Sequence, residues 1–217
     1  MSSSNKEKRV PKSKVKFQIQ LSEEQKQAKA QILNHSVSFI TGKAGTGKTL
    51  LATNVGLDSF FSREIDKIVI TRPTIGTENN GFLPGDEKEK MQPWMIPLWH
   101  NFTQLYPHKE KLEGMEKAKW IEMVSLAFFR GRTFHDAVVI VDEFQNLSYH
   151  QIKMVITRLG KNSKMIFCGD AEQCDLEGRI KSAVVALEKL QECPLVYHQE
   201  LVKNHRHPDL IKIMGYL

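Results

Sequence analysis

The sequence predicts an α/β fold, a parallel sheet with helices on both faces. Three observations carry it. Short, continuously apolar runs end at Gly or at a polar residue, as strands buried on both sides do. Helix-forming segments separate those runs, and this alternation builds crossover units around a parallel sheet. One strand-to-helix turn, GKAGTGKT at 42–49, is rich in glycine, which a backbone needs where it wraps closely around a ligand.

LSEEQKQAKAQILN (21–34) reads as a helix, with Ser22 as N-cap and Gln25 three residues on, the spacing of a capping box. VSFIT (37–41) is a buried strand that ends at Gly42. A helix follows from Lys48 to about Ser59, then a second strand, KIVIT (67–71). The next stretch, TRPTIGTENNGFLPGDEKEK (71–90), holds two Pro, three Gly and two adjacent Asn, so it reads as a long loop. Pro93 and Pro97 are expected to restrict regular structure in the segment after it, while 110–129 reads as helix. AVVIVDE (137–143), SKMIFCGD (163–170) and LVYHQEL (195–201) are the third, fourth and fifth strands. Helices are expected at 148–160 and 180–191 between them.

The chain has 217 residues, 41% hydrophobic and 26% charged, which suits one globular domain with a substantial core. We divide it into a basic flexible tail, 1–16, and a single domain, 17–217, with an inserted loop and helical segment at about 72–132. Six of the 31 basic residues and one of the 25 acidic ones fall in the tail, so the body is almost neutral. Such a tail either grips nucleic acid through phosphate neutralisation or serves as a solvated extension. The tail has no apolar core of a secretory signal, no run is long and apolar enough to cross a bilayer, and three scattered Cys suit a reducing compartment. A cytoplasmic protein is expected.

GKAGTGKT fits G-x-x-x-x-G-K-[ST] at every fixed position, with a buried strand before it and a helix after it. Its successive N–H groups and the helix N-terminus suit phosphates. Lys48 is placed to reach the β- and γ-phosphates, and Thr49 to complete a Mg²⁺ shell. VIVDE (139–143) puts two carboxylates where an apolar parallel strand ends, at the ligand-binding edge. Asp142 is the second candidate for Mg²⁺. Glu143 is the candidate general base for attacking water. FCGDAEQCD (167–175) is a further strand exit, where the Gln173 amide can both donate to and accept from a γ-phosphate environment.

The segments GKAGTGKTLLA, ITRP, NGFLPGDEKEKMQP, FFRGRTFHDAVVIVDEFQN, QIKMVITRLGKNSKMIFCGDAEQCD and VKNHRHPDLIKIM together resemble the PhoH-like family of P-loop ATPases. The core of that family looks like the first RecA-like domain of superfamily 1 helicases. The resemblance implies an ATP and Mg²⁺ site contacted by Gly42, Lys43, Ala44, Gly45, Thr46, Gly47, Lys48, Thr49 and Leu50. It also implies that Gln25 reads the adenine edge, that Gln145 and Asn146 couple the site to its neighbours, and that Gln173 lies at the γ-phosphate. Arg206 and Arg158 are the implied candidates for a phosphate-contacting arginine. The family forms rings, so a homo-oligomer, with a hexamer favoured, is expected, and a neighbouring subunit would close the site. Thr71 and Arg72 in ITRP match a helicase segment along a path for single-stranded RNA or DNA. GFLPGD, with Phe82 and Leu83 as an apolar anchor, is the family's own insertion and is read as a pore or subunit-contact element. The short form resembles versions carried by bacteriophages.

Two functional classes follow: an ATP-hydrolysing remodeller of single-stranded nucleic acid, or an ATP-driven switch acting on a protein partner. Trp94, Trp99, Phe102 and Tyr106 either stack on bases or pack an interface. The RGR at 130–132 either contacts a backbone phosphate or positions the loop before the third strand.

Overall fold

The computed structural model describes residues 15–73, 87–170, 173, 183–206 and 209, and of residues 87–94 the backbone. Six parallel strands form one sheet in the order β3-β2-β4-β5-β1-β6. They are β1 Val37–Thr41, β2 Lys67–Thr71, β3 Ile121–Met123, β4 Ala137–Asp142, β5 Lys164–Gly169 and β6 Val196–Glu200. The helices are α1 Glu23–Asn34, α2 Lys48–Phe61, α3 Glu87–Leu105, α4 Lys109–Lys117, α5 Tyr149–Ile156 and α6 Ala183–Leu190. The expected doubly covered sheet is therefore the observed one.

Each apolar strand divides its side chains between two cores, because successive residues point to opposite faces. Ile40, Ile68, Ile70, Val138, Ile140 and Ile166 pack with α1 to α4 on one face. Phe39, Val69, Val139, Val141, Met165 and Phe167 pack with α5 and α6 on the other. Phe39 and Phe167, paired across β1 and β5, stack with ring centres 4.5 Å apart. Register places Thr41 beside Gly169, Asp142 beside Cys168 and Thr71 beside Val141. One edge of the sheet thus collects the exits of β1, β2, β4 and β5.

The expectation for the segment from 91 to 129 needs two corrections. Helix α3 runs through Pro93 and Pro97, although each proline removes a helix N–H. The reason is tertiary: Leu98, Phe102 and Leu105, at helical spacing, are all buried in the core, and that burial outweighs two lost hydrogen bonds. The helix expected at 110–129 stops at Lys117. Lys119 takes a left-handed conformation, φ 58°. Its N–H donates to Glu116 and that of Trp120 to Met115, a Schellman closure with Lys where Gly is usual. The chain is thereby freed to form β3, an edge strand that pairs with β2.

The aromatic alternatives also resolve toward packing for Phe102, which is fully buried, and Tyr106, whose ring lies 5.0 Å from that of Phe61. Arg132 donates to Glu122 at 2.7 Å and stands over the ring of Phe134. It positions the chain before β4.

Candidate active site

The loop between β1 and α2 turns on three glycines with positive φ: Gly42 (135°), Gly45 (92°) and Gly47 (80°). At Gly45 a Cβ would lie 2.7 Å from the Arg206 side chain and 2.8 Å from Asn204 Oδ1. Gly47 caps α2 without a side-chain bond, so the first N–H groups of that helix carry its positive dipole end toward the loop.

The loop's carbonyls are systematically engaged. Lys48 Nζ donates to Gly42 O at 2.6 Å and to Lys43 O at 3.1 Å. Asn204 Nδ2 donates to Ala44 O, the His205 N–H to Gly45 O and Gln25 Nε2 to Thr46 O. A loop whose carbonyls are occupied in this way is held in one backbone course. Such a course suits a polyphosphate, which the α2 N-terminus and the Lys48 amine would attract. Lys43 is exposed, Thr46 is buried, and Ala44, Thr49 and Leu50 are half-buried.

Two supports of this loop were not singled out from sequence. Glu24, in the first turn of α1, accepts the N–H groups of Val202 and Lys203 at 2.8 and 3.3 Å. Leu201 N–H donates to Thr41 O. Residues 201–206 are thereby strapped across the loop, with Asn204 bonded to it. The capping box forms as expected: Gln25 Oε1 accepts from Ser22 N–H and Ser22 Oγ from Gln25 N–H. Gln25 is buried and its amide bridges α1 to the glycine-rich loop.

Beside the loop, Thr49 Oγ1 donates to Asp142 Oδ1 at 2.6 Å. Burial pushes the Asp142 carboxyl up to about 6, with the Glu143 charge adding to it and the Thr49 bond, Arg72 and Lys48 opposing. A hydroxyl and a buried carboxylate in contact are hard oxygen donors of the kind that fits Mg²⁺. The folded carboxyl holds its proton to a higher pH than an unfolded one, so ionised Asp142 costs stability. That cost is absent below about pH 4 and complete above about pH 6. Asp142→Asn retains an oxygen for Thr49 and should stabilise the chain above pH 6 by roughly 2–3 kcal/mol, with no gain below pH 4. Melting temperatures of both proteins from pH 4 to 8 test this; a constant difference across the range contradicts it.

Glu143 follows β4 in a left-handed conformation, φ 51°, a strained backbone for a non-glycine residue. Its Oε1 accepts from Arg72 at 3.3 Å and its Oε2 from Gln145 Nε2 at 2.7 Å. Gln145 is buried, and its Oε1 accepts the Asp170 N–H at 3.1 Å. Gln145 therefore ties the exit of β4 to that of β5. The Gln173 N–H donates to Asp170 O, and Gln173 is exposed just beyond.

The remaining expected residues are placed as follows. Arg206 is exposed and lies over Gly45 of its own chain. Arg158 follows α5, and its backbone carbonyl accepts from the N–H of Phe134, ahead of β4. It stands at the opposite edge of the sheet, separated from the glycine-rich loop by about 20 Å of strand. Thr71 is fully buried and its hydroxyl has no partner among the described residues, so it offers no surface to a nucleic-acid backbone. Arg72 is half-exposed and turned toward Glu143. Phe82 and Leu83, with the rest of GFLPGD, lie outside the described residues. Among the described residues no helix is long and apolar enough to cross a membrane.

A PhoH-like protein from Bacillus subtilis is 41% identical over 88% of the chain and 60% of its own length. One from Synechocystis is 44% identical over 70% of the chain and 47% of its own length. The chain thus spans about half the length of the curated relatives it matches. In fold it is similar to a Bacteroides Pif1 helicase solved with ADP-AlF3 and single-stranded DNA, at a TM-score of 0.51 and 14% identity over 91% of the chain and 46% of that protein. The profile described as "PhoH-like protein" matches residues 19–214, and the chain belongs to the PhoH-like protein family.

Proposed function

We propose that the chain binds ATP with Mg²⁺ and hydrolyses it, and that turnover is coupled to single-stranded RNA or DNA in a homo-oligomer, a hexameric ring being the favoured form. The observation that carries the hydrolytic part is the convergence of Lys48, Thr49, Asp142 and Glu143 on one sheet edge.

On this reading, Lys48 leaves the Gly42 and Lys43 carbonyls for the β- and γ-phosphates. Thr49 and Asp142 would hold Mg²⁺, which would supply neutralisation of the phosphate charge. Glu143 accepts a proton from water as the water oxygen bonds to the γ-phosphorus and the bridging bond to ADP breaks. Gln25 has engaged one lone pair of Oε1 and one hydrogen of Nε2; one of each remains for the adenine edge. Gln173 would sense the γ-phosphate. Arg206, over the loop of the same chain, would contact phosphate directly, whereas Arg158 would serve a site only from a neighbouring subunit. Arg72 is the candidate for the nucleic-acid backbone, with Phe82 and Leu83 at a subunit contact or pore.

The test is steady-state ATP turnover with and without single-stranded RNA and DNA homopolymers, at two salt concentrations. Stimulation of severalfold that weakens at high salt is expected, because each phosphate contact releases counterions. Turnover that ignores both homopolymers at low salt would favour the switch acting on a protein partner.

A further inference from the structure

Both oxygens of Glu143 are in use, yet the two bonds differ in kind. The bond to Gln145 is short, comes from a buried side chain and is anchored at its far end by the Asp170 N–H. The bond to Arg72 is a single N–H···O contact of 3.3 Å between side chains that are 26% and 33% exposed. Water reaches that second bond, and a pair of this exposure is worth little. Arg72 also follows β2 directly, at the edge where the phosphate-site residues gather. Its guanidinium offers a fork that a phosphodiester matches in two bonds, where Glu143 now receives one.

We propose that Arg72 restrains Glu143, and that the phosphodiester backbone of a single-stranded nucleic acid competes for Arg72 and releases the carboxylate to activate water. This rests on the ATPase reading and gives its regulation a residue. Arg72 is a positioning residue in this scheme. While it is bound to Glu143, Oε1 has one lone pair fewer for the attacking water, and the carboxylate is tethered on two sides. When a strand takes the guanidinium, Gln145 alone keeps Glu143 aligned, tied to the β5 exit that leads to Gln173. One guanidinium cannot serve both anions fully, so occupancy of the nucleic-acid path and freedom of Glu143 rise together.

The experiment measures kcat and KM for ATP in the full chain for wild type, Arg72→Ala and Arg72→Lys, each alone, with a uridine homopolymer and with a thymidine homopolymer. Without nucleic acid, Arg72→Ala is expected to raise kcat about two- to fivefold, the worth of a half-exposed ion pair, with KM changed less than about twofold. Neither homopolymer should raise it further. Arg72→Lys should keep a low basal rate and part of the response, a rescue that a merely structural role of Arg72 would not produce. The homopolymer that stimulates wild type more identifies RNA or DNA as the source of the phosphodiester. A kcat in Arg72→Ala equal to or below that of a working wild type overturns the restraint while leaving the ATPase reading intact. A raised kcat in Arg72→Ala, beside a wild type that ignores both homopolymers, overturns the nucleic acid as the releasing partner. No turnover in any variant overturns the ATPase reading and the restraint together.

Discussion

Glu143→Gln is expected to bind ATP as wild type does and to hydrolyse it about 10²–10⁴-fold more slowly, the usual worth of a general base. The shape of the side chain is preserved, and Lys48, Thr49 and Asp142 are untouched, so the groups that hold the triphosphate remain. What is lost is an oxygen able to take the proton of the attacking water. The neighbours add a second, smaller effect. Glu143 accepts from Arg72 at one oxygen and from Gln145 Nε2 at the other. An amide has one acceptor and one donor end, so one of those two donors must face an N–H. The conflict should cost about 1 kcal/mol of stability. Equilibrium binding of ATP, steady-state phosphate release and a melting curve separate the three expectations. An ATP affinity that falls together with kcat would assign Glu143 to binding instead.

Lys48→Ala is expected to weaken ATP binding roughly 10- to 100-fold, the loss of one or two hydrogen bonds to a charged partner, and to leave no measurable turnover at ordinary ATP concentrations. The amine now sits on the Gly42 and Lys43 carbonyls. It is therefore already inside the loop that would receive the phosphates, held by weak acceptors that an anion readily outcompetes. Isothermal titration with ATP, compared with ADP, checks this. The difference between wild type and variant should be larger for ATP, because the γ-phosphate is one of the groups Lys48 would reach. Equal losses for both nucleotides would place the amine on the β-phosphate alone.

Features whose signal resides in side-chain type were legible in the sequence, and features carried by the backbone were not. The glycine-rich turn, the capping box of Ser22 and Gln25, and the carboxylates ending β4 were readable because each role demands a particular residue. The strap at 201–206 escaped for the opposite reason. Leu201, Val202, Lys203 and His205 contribute through N–H groups, which every non-proline residue carries. Lys119 closes α4 in a left-handed turn where glycine would have announced it, so β3 was hidden inside an expected helix. Pro93 and Pro97 pointed away from a helix that the burial of Leu98, Phe102 and Leu105 enforces. Among candidate site residues, Arg158 was separated from the phosphate edge by the direction of α5. Local pattern carries no information about which edge of a sheet an arginine reaches. The stretch from Thr71 onward was legible only in part: its sequence marked Arg72, but the partner Glu143, 71 positions away, required the pairing of β2 with β4.

That one sheet edge both holds ATP and cleaves it is tested most directly by single-turnover phosphate release, with the chain in excess over ATP and the reaction started by adding Mg²⁺. The wild type should release close to one phosphate per ATP, with no release when Mg²⁺ is chelated, while Glu143→Gln should bind the same ATP and release none on that timescale. Equal release by wild type and Glu143→Gln would contradict the assignment of this edge as the place where ATP is hydrolysed.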